Sequence, residues 1–311
     1  MEASMTTPTE KAPSRPVNSV SPVGDWSIKI IFALYSLMCL FPLALLVMVS
    51  ISNEQDVIRY GYKFFPMHFD LSAYKFVFED WHNVLKSYGV SIFVTVVGTI
   101  LSLVIMALYA YPISRPDFPQ RKFFTFFVFF TMLFNGGLVP WYLVYVKLLH
   151  LKDNIWALIL PLLVSAFFVL IIRTFFATTI PGAVIESAKI DGAGEMRIFF
   201  KIVLPLSLPV LASTALFSTL NYWNDWFLSL VFIQKSDGYI SVQYLMYKTL
   251  TNIQFLMTHT EAMNVIGGAT KFPNETVRMA MAVIGIGPII FAYPFFQKYF
   301  VKGLTVGAVK G

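Results

Sequence analysis

The sequence is poor in charged residues and in the residues that build disulfides and metal sites. Only 13% of its 311 residues are charged, whereas roughly 25% is usual in soluble proteins. The single cysteine, Cys39, excludes an internal disulfide, and we interpret it as a small buried apolar residue. The four histidines show neither HExxH nor paired spacing, which argues against a zinc site.

The usual signatures of enzymes are also missing. The sequence has no G-x4-G-K-[ST] segment, so the chain has no P-loop of its own for ATP. No G-x-S-x-G segment, pair of intramembrane aspartates or histidine near a carboxylate supports hydrolysis. A membrane-embedded enzyme would need two titratable groups inside the bundle, and only Asp225 approaches this. We therefore expect no catalytic residue, metal or cofactor on this chain.

The chain consists largely of apolar sequence. Hydrophobic residues make up 57% of it, 31 residues are phenylalanine, and the mean hydropathy is +0.68. This composition predicts that most of the chain lies in a lipid bilayer. The net charge of +6 then indicates the positive bias of membrane loops, not a nucleic-acid partner.

Six apolar stretches each reach the roughly 20 residues needed to cross a bilayer. They are Ile30–Ser50, Ser87–Ser114, Phe123–Val146, Asn154–Ile172, Ile202–Asn224 and Met279–Gln297. Because an open sheet cannot span lipid, the predicted fold class is an all-α membrane protein with six transmembrane helices. Seven prolines predict breaks in several of the helices, namely Pro112, Pro140, Pro161, Pro205, Pro209, Pro288 and Pro294.

The distribution of lysine and arginine among the short loops predicts the orientation. The loops 115–122 and 173–201 carry more of these residues than the loop 147–153, so both termini and the segment 180–201 are predicted to be cytoplasmic. We expect a disordered cytoplasmic tail at 1–25 and the first transmembrane helix at 26–51. An extracytoplasmic loop at 52–86, a transmembrane core at 87–300 and a cytoplasmic tail at 301–311 follow. A second long loop is expected at 234–278.

A charged segment interrupts the apolar core between residues 180 and 209. The sequence predicts a helix from Gly182 to Ile190, a left-handed stop at Gly192 and a second helix from Glu195 to Val203. Glu186 and Asp191 offer negative charges to basic groups of a partner, while Ser187 and Ala188 form a face that another surface could approach closely. Docking to a cytosolic subunit and a simple solvated loop are both compatible with this pattern.

The same segment resembles the EAA loop of ABC importer permeases. Glu186, Ser187 and Ala188 match its Glu-Ala-Ala, with Ser in place of the middle Ala, and Gly192 and Ile202–Pro205 follow at the family's spacing. The resemblance implies that residues 180–205 are the coupling loop, with Glu186, Ser187, Ala188, Asp191 and Gly192 seated against an ATPase subunit.

Three further segments resemble the LplC/YtcP group of carbohydrate permeases, which are similar to MalG. They are Phe134–Leu143, Trp223–Phe227 and Gln297–Thr305. The resemblance implies a type I importer (MetI-like) fold in a bacterial cell membrane, paired with a second homologous permease. It also implies two cytosolic ATPase subunits that carry ATP and Mg²⁺, an extracytoplasmic solute-binding protein and an oligosaccharide substrate.

Polar residues at membrane depth are the candidates for the substrate pathway. Asp225 is the one carboxylate within an otherwise spanning segment and is flanked by Tyr222, Trp223, Asn224 and Trp226. Such groups are costly in lipid unless they face a cavity or a partner, although an aromatic belt at the outer interface is the alternative. Asn135, beside Gly136 and Gly137, is a second candidate, or only a helix kink. A membrane scaffold and a permease for a solute other than a sugar remain alternative functions.

Overall fold

The computed structural model describes residues 22–235, 238–258 and 274–291, together with Pro294 and Gln297. The predicted C-terminal tail at 301–311 and residues 1–21 of the predicted N-terminal tail lie outside these ranges. The described part is helical and contains no β-strand, only an isolated antiparallel bridge between Ser52 and Phe69. This agrees with the all-α fold class predicted from the sequence.

The described helices have the following order along the chain. They are α1 Pro22–Ser50, α2 Glu54–Tyr60, α3 Ser72–Val77, α4 Trp81–Ser114, α5 Arg121–Leu133, α6 Leu138–Leu143, α7 Ala166–Thr179, α8 Gly182–Ile190, α9 Glu195–Ile198, α10 Leu204–Leu206, α11 Leu208–Trp223, α12 Phe227–Phe232, α13 Val242–Thr258 and α14 Glu275–Ile290. Two π-helical turns, Val144–Leu148 and Phe199–Val203, extend α6 and join α9 to α10, and two 3₁₀ turns, Ile155–Leu158 and Leu160–Leu162, precede α7.

Two of the predicted spans are single long helices and three are bent. Among the described residues, α1 and α4 are each long and apolar enough to cross a membrane. The segments Arg121–Leu133 and Leu138–Leu148 meet at 115°, Ile155–Leu162 and Ala166–Thr179 at 51°, and Glu195–Leu206 and Leu208–Trp223 at 79°. The sixth predicted span, Met279–Gln297, begins inside α14 and continues beyond Phe291, where only Pro294 and Gln297 are described.

The bends confirm the breaks predicted at Pro161 and Pro209, whereas Pro112 and Pro288 lie inside continuous helices, contrary to the prediction. Pro161 and Pro209 each lie at the first positions of a new helical segment, where the missing N–H of proline costs nothing. Between α5 and α6 the chain turns at Gly137, whose φ of +84° suits a residue without a Cβ.

The structure corrects the boundaries of the first helix. α1 begins at Pro22, so residues 22–25 are helical and do not belong to a disordered tail. Most of α1 is exposed on this chain, Cys39 included, contrary to our interpretation of this cysteine as buried. Burial begins only at Val49 and Ser50. The exposed apolar length of α1 is therefore available to lipid or to another subunit.

The two predicted loops are also more ordered than the sequence indicated. Segment 52–86 contains α2, α3 and the start of α4, and segment 234–278 contains the 17-residue helix α13. α13 buries Val242, Met246 and Ile253 against α14 and the N-terminal part of α4. These apolar positions recur at helical spacing, and the polar residues between them keep the hydropathy below that of a membrane span.

The core of the bundle is formed where α11 packs on α4. The facing side of α4 carries small buried polar residues at helical spacing, namely Ser87, Ser91, Thr95, Thr99 and Ser102. Thr99 and Thr219 contact each other through their hydroxyls at 3.3 Å. Small residues let two membrane helices approach closely, and hydroxyl pairs add hydrogen bonds between them.

Candidate functional site

The charged segment folds into two helices joined by a tight turn, as the sequence predicted, and we call residues 182–206 the hairpin. Helix α8 spans Gly182–Ile190, and Gly192 adopts a φ of +76°. The N–H of Gly192 donates to the carbonyl of Lys189 at 3.0 Å, and the N–H of Ala193 donates to the carbonyl of Ala188 at 2.9 Å. These two bonds are the Schellman arrangement that ends a helix at a left-handed residue. The second helix then starts at Glu195 and runs through the π-turn to Leu206.

One side of the hairpin packs on the membrane helices. Ile185, Ile198 and Phe199 are buried in a cluster with residues of α4 and α7. Ala188 is half-buried against the same cluster, so this part of the predicted small-residue face is turned toward the chain itself. Only Ser187 of the pair is exposed.

The opposite side of the hairpin is free in this chain. Ile190 is 86% exposed, and Glu186, Ser187 and Asp191 are exposed around it. Among the described residues, neither Glu186 nor Asp191 takes part in an ion pair. An exposed apolar side chain between two unpaired carboxylates would suit a partner with an apolar pocket and basic groups. Ile190 was not among the residues predicted from the sequence, although an isoleucine at the end of a charged helix is the signal that could have identified it.

Two of the predicted pathway residues lie in the core. Tyr222 is 3% exposed, and its hydroxyl donates to the carbonyl of Ile159 at 2.9 Å. Trp223 is equally buried, and its Nε1 donates to the carbonyl of Gly285 on α14 at 3.0 Å. In this conformation both side chains join helices to one another, and their polar atoms are occupied.

The next three residues lie at the junction of α11 and α12. Asn224 is exposed, and Asp225 is half-buried with Oδ2 accepting the N–H of Leu228 at 3.1 Å. Asp225 therefore stabilises the first turn of α12 in the manner of a helix cap. Trp226 is 38% exposed and stacks on Tyr247 of α13, with ring centroids 4.4 Å apart. Tyr247 was missed because its segment was predicted to be a loop.

Asn135 lies exposed at the break between α5 and α6. Its Oδ1 accepts the N–H of Gly137 at 2.8 Å, which is the local turn that asparagine typically forms. In the described part of the chain no hydrogen bond or ring contact joins Asn135 to the Asn224–Trp226 cluster. The two predicted pathway candidates therefore remain separate features in this structure.

Comparison with known proteins places these features in a family. Residues 90–306 match the family model described as the binding-protein-dependent transport system inner membrane component. The matched range contains the hairpin and both groups of pathway candidates. The chain belongs to this family of permeases. It is thus a membrane subunit of an ABC importer and not an enzyme, and the type I importer fold expected from the resemblance is confirmed.

Curated relatives and a solved structure agree with this assignment. The polygalacturonan/rhamnogalacturonan transport system permease protein YtcP of Bacillus subtilis is 39% identical over 279 residues, covering 89% of this chain and 95% of the relative. Protein LplC of the same organism is 39% identical over 272 residues, covering 88% and 90%. The crystal structure of a bacterial ABC transporter involved in the import of the acidic polysaccharide alginate matches with a TM-score of 0.72 and 29% identity, covering 93% of this chain and 100% of the matched chain.

Proposed function

We propose that this permease moves an oligosaccharide across a bacterial cell membrane as one half of a permease pair. A second homologous permease, two cytosolic ATPase subunits and an extracytoplasmic solute-binding protein complete the importer. The names of the relatives support the substrate class, since they include permeases for polygalacturonan, rhamnogalacturonan and arabinooligosaccharides. The matched structure comes from an alginate importer. The family match and the relatives do not favour the alternatives, a permease for another solute and a scaffold without transport.

The observation that carries the proposal is the two-sided hairpin. Its buried side is fixed to α4 and α7, while its free side presents Ile190 between Glu186 and Asp191. Such an element can receive a displacement from a partner and pass it to the bundle. In the predicted orientation this side is cytoplasmic, and both termini lie on it. The partner is then the ATPase, which holds ATP and Mg²⁺, while this chain holds no cofactor.

The transport cycle follows from a two-state bundle. ATP binding and the loaded binding protein must both favour the outward-open state, because a ligand shifts an equilibrium only by its differential affinity for the two states. Closure of the ATPases moves the docked hairpin, and the bundle opens toward the binding protein. Hydrolysis returns the bundle to the inward-open state and releases the substrate to the cytoplasm.

For the substrate pathway we propose the exposed groups at the outer part of α11 and α12. Trp226 with its stacking partner Tyr247 offers an aromatic surface for a pyranose ring, and Asn224 offers an amide beside it. Asp225 orients the junction of α11 and α12 by accepting the N–H of Leu228. Tyr222 and Trp223 fix the end of α11 through their hydrogen bonds to Ile159 and Gly285. Asn135 is the second candidate, at the break in the third span.

Uptake by the assembled importer tests the proposal. Reconstituted with its binding protein and ATPases, the permease should import an oligosaccharide that its binding protein retains, and variants Asn224→Ala and Trp226→Ala should slow uptake. Asn252→Ala, an exposed amide on α13, serves as the matched control. A scaffold would retain the ATPases without any uptake, and unchanged uptake in Asn224→Ala and Asp225→Ala would exclude this pathway.

A further inference from the structure

We propose that Lys189 fastens the hairpin to the membrane helix α4 through an ionic clamp, and that this clamp couples ATP hydrolysis to transport. The inference rests on the proposed function, because it concerns how a displacement of the hairpin reaches the bundle. We define the clamp as Lys189 and Glu195 on the hairpin, Asp117 in the loop after α4, and Tyr111 and Arg115 at the end of α4.

The clamp follows two routes from the hairpin to α4. In the first, Lys189 Nζ lies 3.0 Å from Asp117 Oδ2, and Arg115 grips both oxygens of Asp117 through Nε at 3.1 Å and Nη2 at 3.0 Å. In the second, Lys189 Nζ lies 2.8 Å from Glu195 Oε1, and Tyr111 donates its hydroxyl to Glu195 Oε2 at 2.6 Å. The second route ends at Tyr111 in the last turn of α4 and the first at Arg115, immediately after it, so the hairpin is held at two points near the same end of α4.

The two ends of the clamp differ in burial. At the end of α4 the ring of Tyr111 is buried, and the side chain of Arg115, just after the helix, is 14% exposed, so packing fixes both groups. Lys189 and Glu195 are partly exposed and sit on the hairpin that meets the partner. A lone exposed ion pair contributes little to stability, but a carboxylate held by a bidentate arginine has a defined geometry. The clamp therefore determines position more than it determines stability.

The charges of the clamp are present under physiological conditions. Hydrogen bonds from Arg115 and Lys189 hold the pKa of Asp117 well below its usual range. Hydrogen bonds to Glu195 and Asp117 raise the pKa of Lys189 above its usual value. Both groups are consequently ionised at neutral pH, as the clamp requires.

A clamp supplies what the apolar contacts of the hairpin cannot. Ile185, Ile198 and Phe199 attach the hairpin to the bundle, but apolar contact is non-directional and permits small slides. The Lys189–Asp117 ion pair and the hydrogen bond from Tyr111 to Glu195, which Lys189 holds in place, fix the register of the hairpin against the end of α4. Without Lys189 the hairpin should still pack on the bundle and bind the ATPase. When the ATPase moves it, however, the hairpin would slide along the bundle instead of moving α4. The expected defect is ATP hydrolysis that no longer drives uptake.

The test compares Lys189→Met with Lys189→Arg, and Asp117→Asn with wild type, in the reconstituted importer. Three quantities are measured for each, namely co-purification of the ATPases, substrate-stimulated ATP hydrolysis and substrate imported per ATP hydrolysed. We expect Lys189→Met and Asp117→Asn to bind the ATPases normally but to import roughly 5-fold less substrate per ATP, the lower end of usual coupling effects. Lys189→Arg retains the charge and should restore the ratio. Arg197→Met, an exposed cation of the hairpin outside the clamp, should leave it unchanged.

Two results would overturn the inference. An unchanged ratio in both Lys189→Met and Asp117→Asn would show that the clamp transmits nothing. Loss of ATPase binding in Lys189→Met alone would make Lys189 a docking residue, since Asp117 lies outside the hairpin. If the Lys189→Met permease is not recovered folded from the membrane, Asp117→Asn decides alone, and an unchanged ratio in that variant overturns the inference. Failure of the proposed function would differ from all of these, because the wild-type assembly itself would then bind no ATPase or import no oligosaccharide.

Discussion

The ring of Tyr222 lies directly on Gly98, so that a Cβ atom at position 98 would come within 2.5 Å of the Tyr222 Cζ. The same tyrosine contacts Ser102 through its hydroxyl at 3.2 Å and donates to the carbonyl of Ile159. Tyr222 therefore joins α11, α4 and the 3₁₀ segment before α7. The close approach of α11 to α4 depends on the absence of a side chain at Gly98.

Gly98→Ala should destabilise the permease, although alanine favours helices. The added Cβ overlaps a buried ring that is held by hydrogen bonds, and overpacking of this kind costs about 1–3 kcal/mol. Gly89→Ala is the matched control, because it lies in the same helix, a Cβ added there would meet nothing within 4 Å, and it should gain up to about 1 kcal/mol of helix propensity. Thermal unfolding of the purified protein measures both, and equal melting temperatures would contradict this packing of Tyr222 on Gly98.

Glu54 should be essential for the position of α14. The carboxylate is 7% exposed and accepts the N–H groups of Asn274, Glu275 and Thr276 at 2.9–3.0 Å, and the hydroxyl of Thr276 at 2.7 Å. It thus neutralises the unpaired donors and the positive end of α14.

Glu54→Gln places an amide N–H₂ against these donors and should cost on the order of 2 kcal/mol. Glu79→Gln removes the same charge from an exposed position and should change the free energy of unfolding by less than about 0.5 kcal/mol. Thermal unfolding again provides the measurement. A melting temperature of Glu54→Gln equal to that of Glu79→Gln would show that the cap contributes nothing.

The sequence predicted the parts of the fold that depend on local chemistry. The uncharged lengths located the spans, Pro161 and Pro209 indicated two of the bends, and Gly192 with its preceding helix was found at the right residues. Each of these features is set by a residue and its immediate neighbours. The docking role of the hairpin and the pathway role of Asn135 and residues 222–226 remain predictions.

The features that the sequence analysis missed arise from contacts between distant segments. From the sequence, Glu54 is one of several acidic residues in a predicted loop, because its partners on α14 lie more than two hundred residues away. Tyr222 and Trp223 were predicted to line the pathway because they are polar aromatic residues. Only the fold brings the carbonyls of Ile159 and Gly285 to them, and these carbonyls already accept the Tyr222 hydroxyl and the Trp223 Nε1–H. The helix α13 was read as a loop because its polar face lowers its hydropathy, and only its contacts with α4 and α14 reveal it.

Gly192→Pro should abolish substrate-stimulated ATP hydrolysis while the chain still inserts into the membrane. Proline fixes φ near −65°, whereas Gly192 has a φ of +76° and donates its N–H to the carbonyl of Lys189. The turn between the two hairpin helices cannot form with this residue. Gly194→Ala is the control, since Gly194 has a φ of −71° and open space around it. Normal stimulated hydrolysis in Gly192→Pro would refute docking through the hairpin.

Ile190→Asp should weaken binding of the ATPase without unfolding the permease. Ile190 is the most exposed apolar residue of the hairpin, and truncation of an apolar anchor at the centre of an interface typically costs about 2 kcal/mol or more in binding. A third carboxylate between Glu186 and Asp191 would also be desolvated on docking.

Ile58→Asp is the matched control, because Ile58 is 62% exposed on α2, outside the hairpin and among the segments predicted to be extracytoplasmic. Titration of the purified ATPase against both variants, with melting temperatures recorded beside them, separates a docking defect from a folding defect. Equal affinities of the two variants for the ATPase would mean that Ile190 faces solvent in the assembled importer, and the docking surface would have to lie elsewhere on the hairpin.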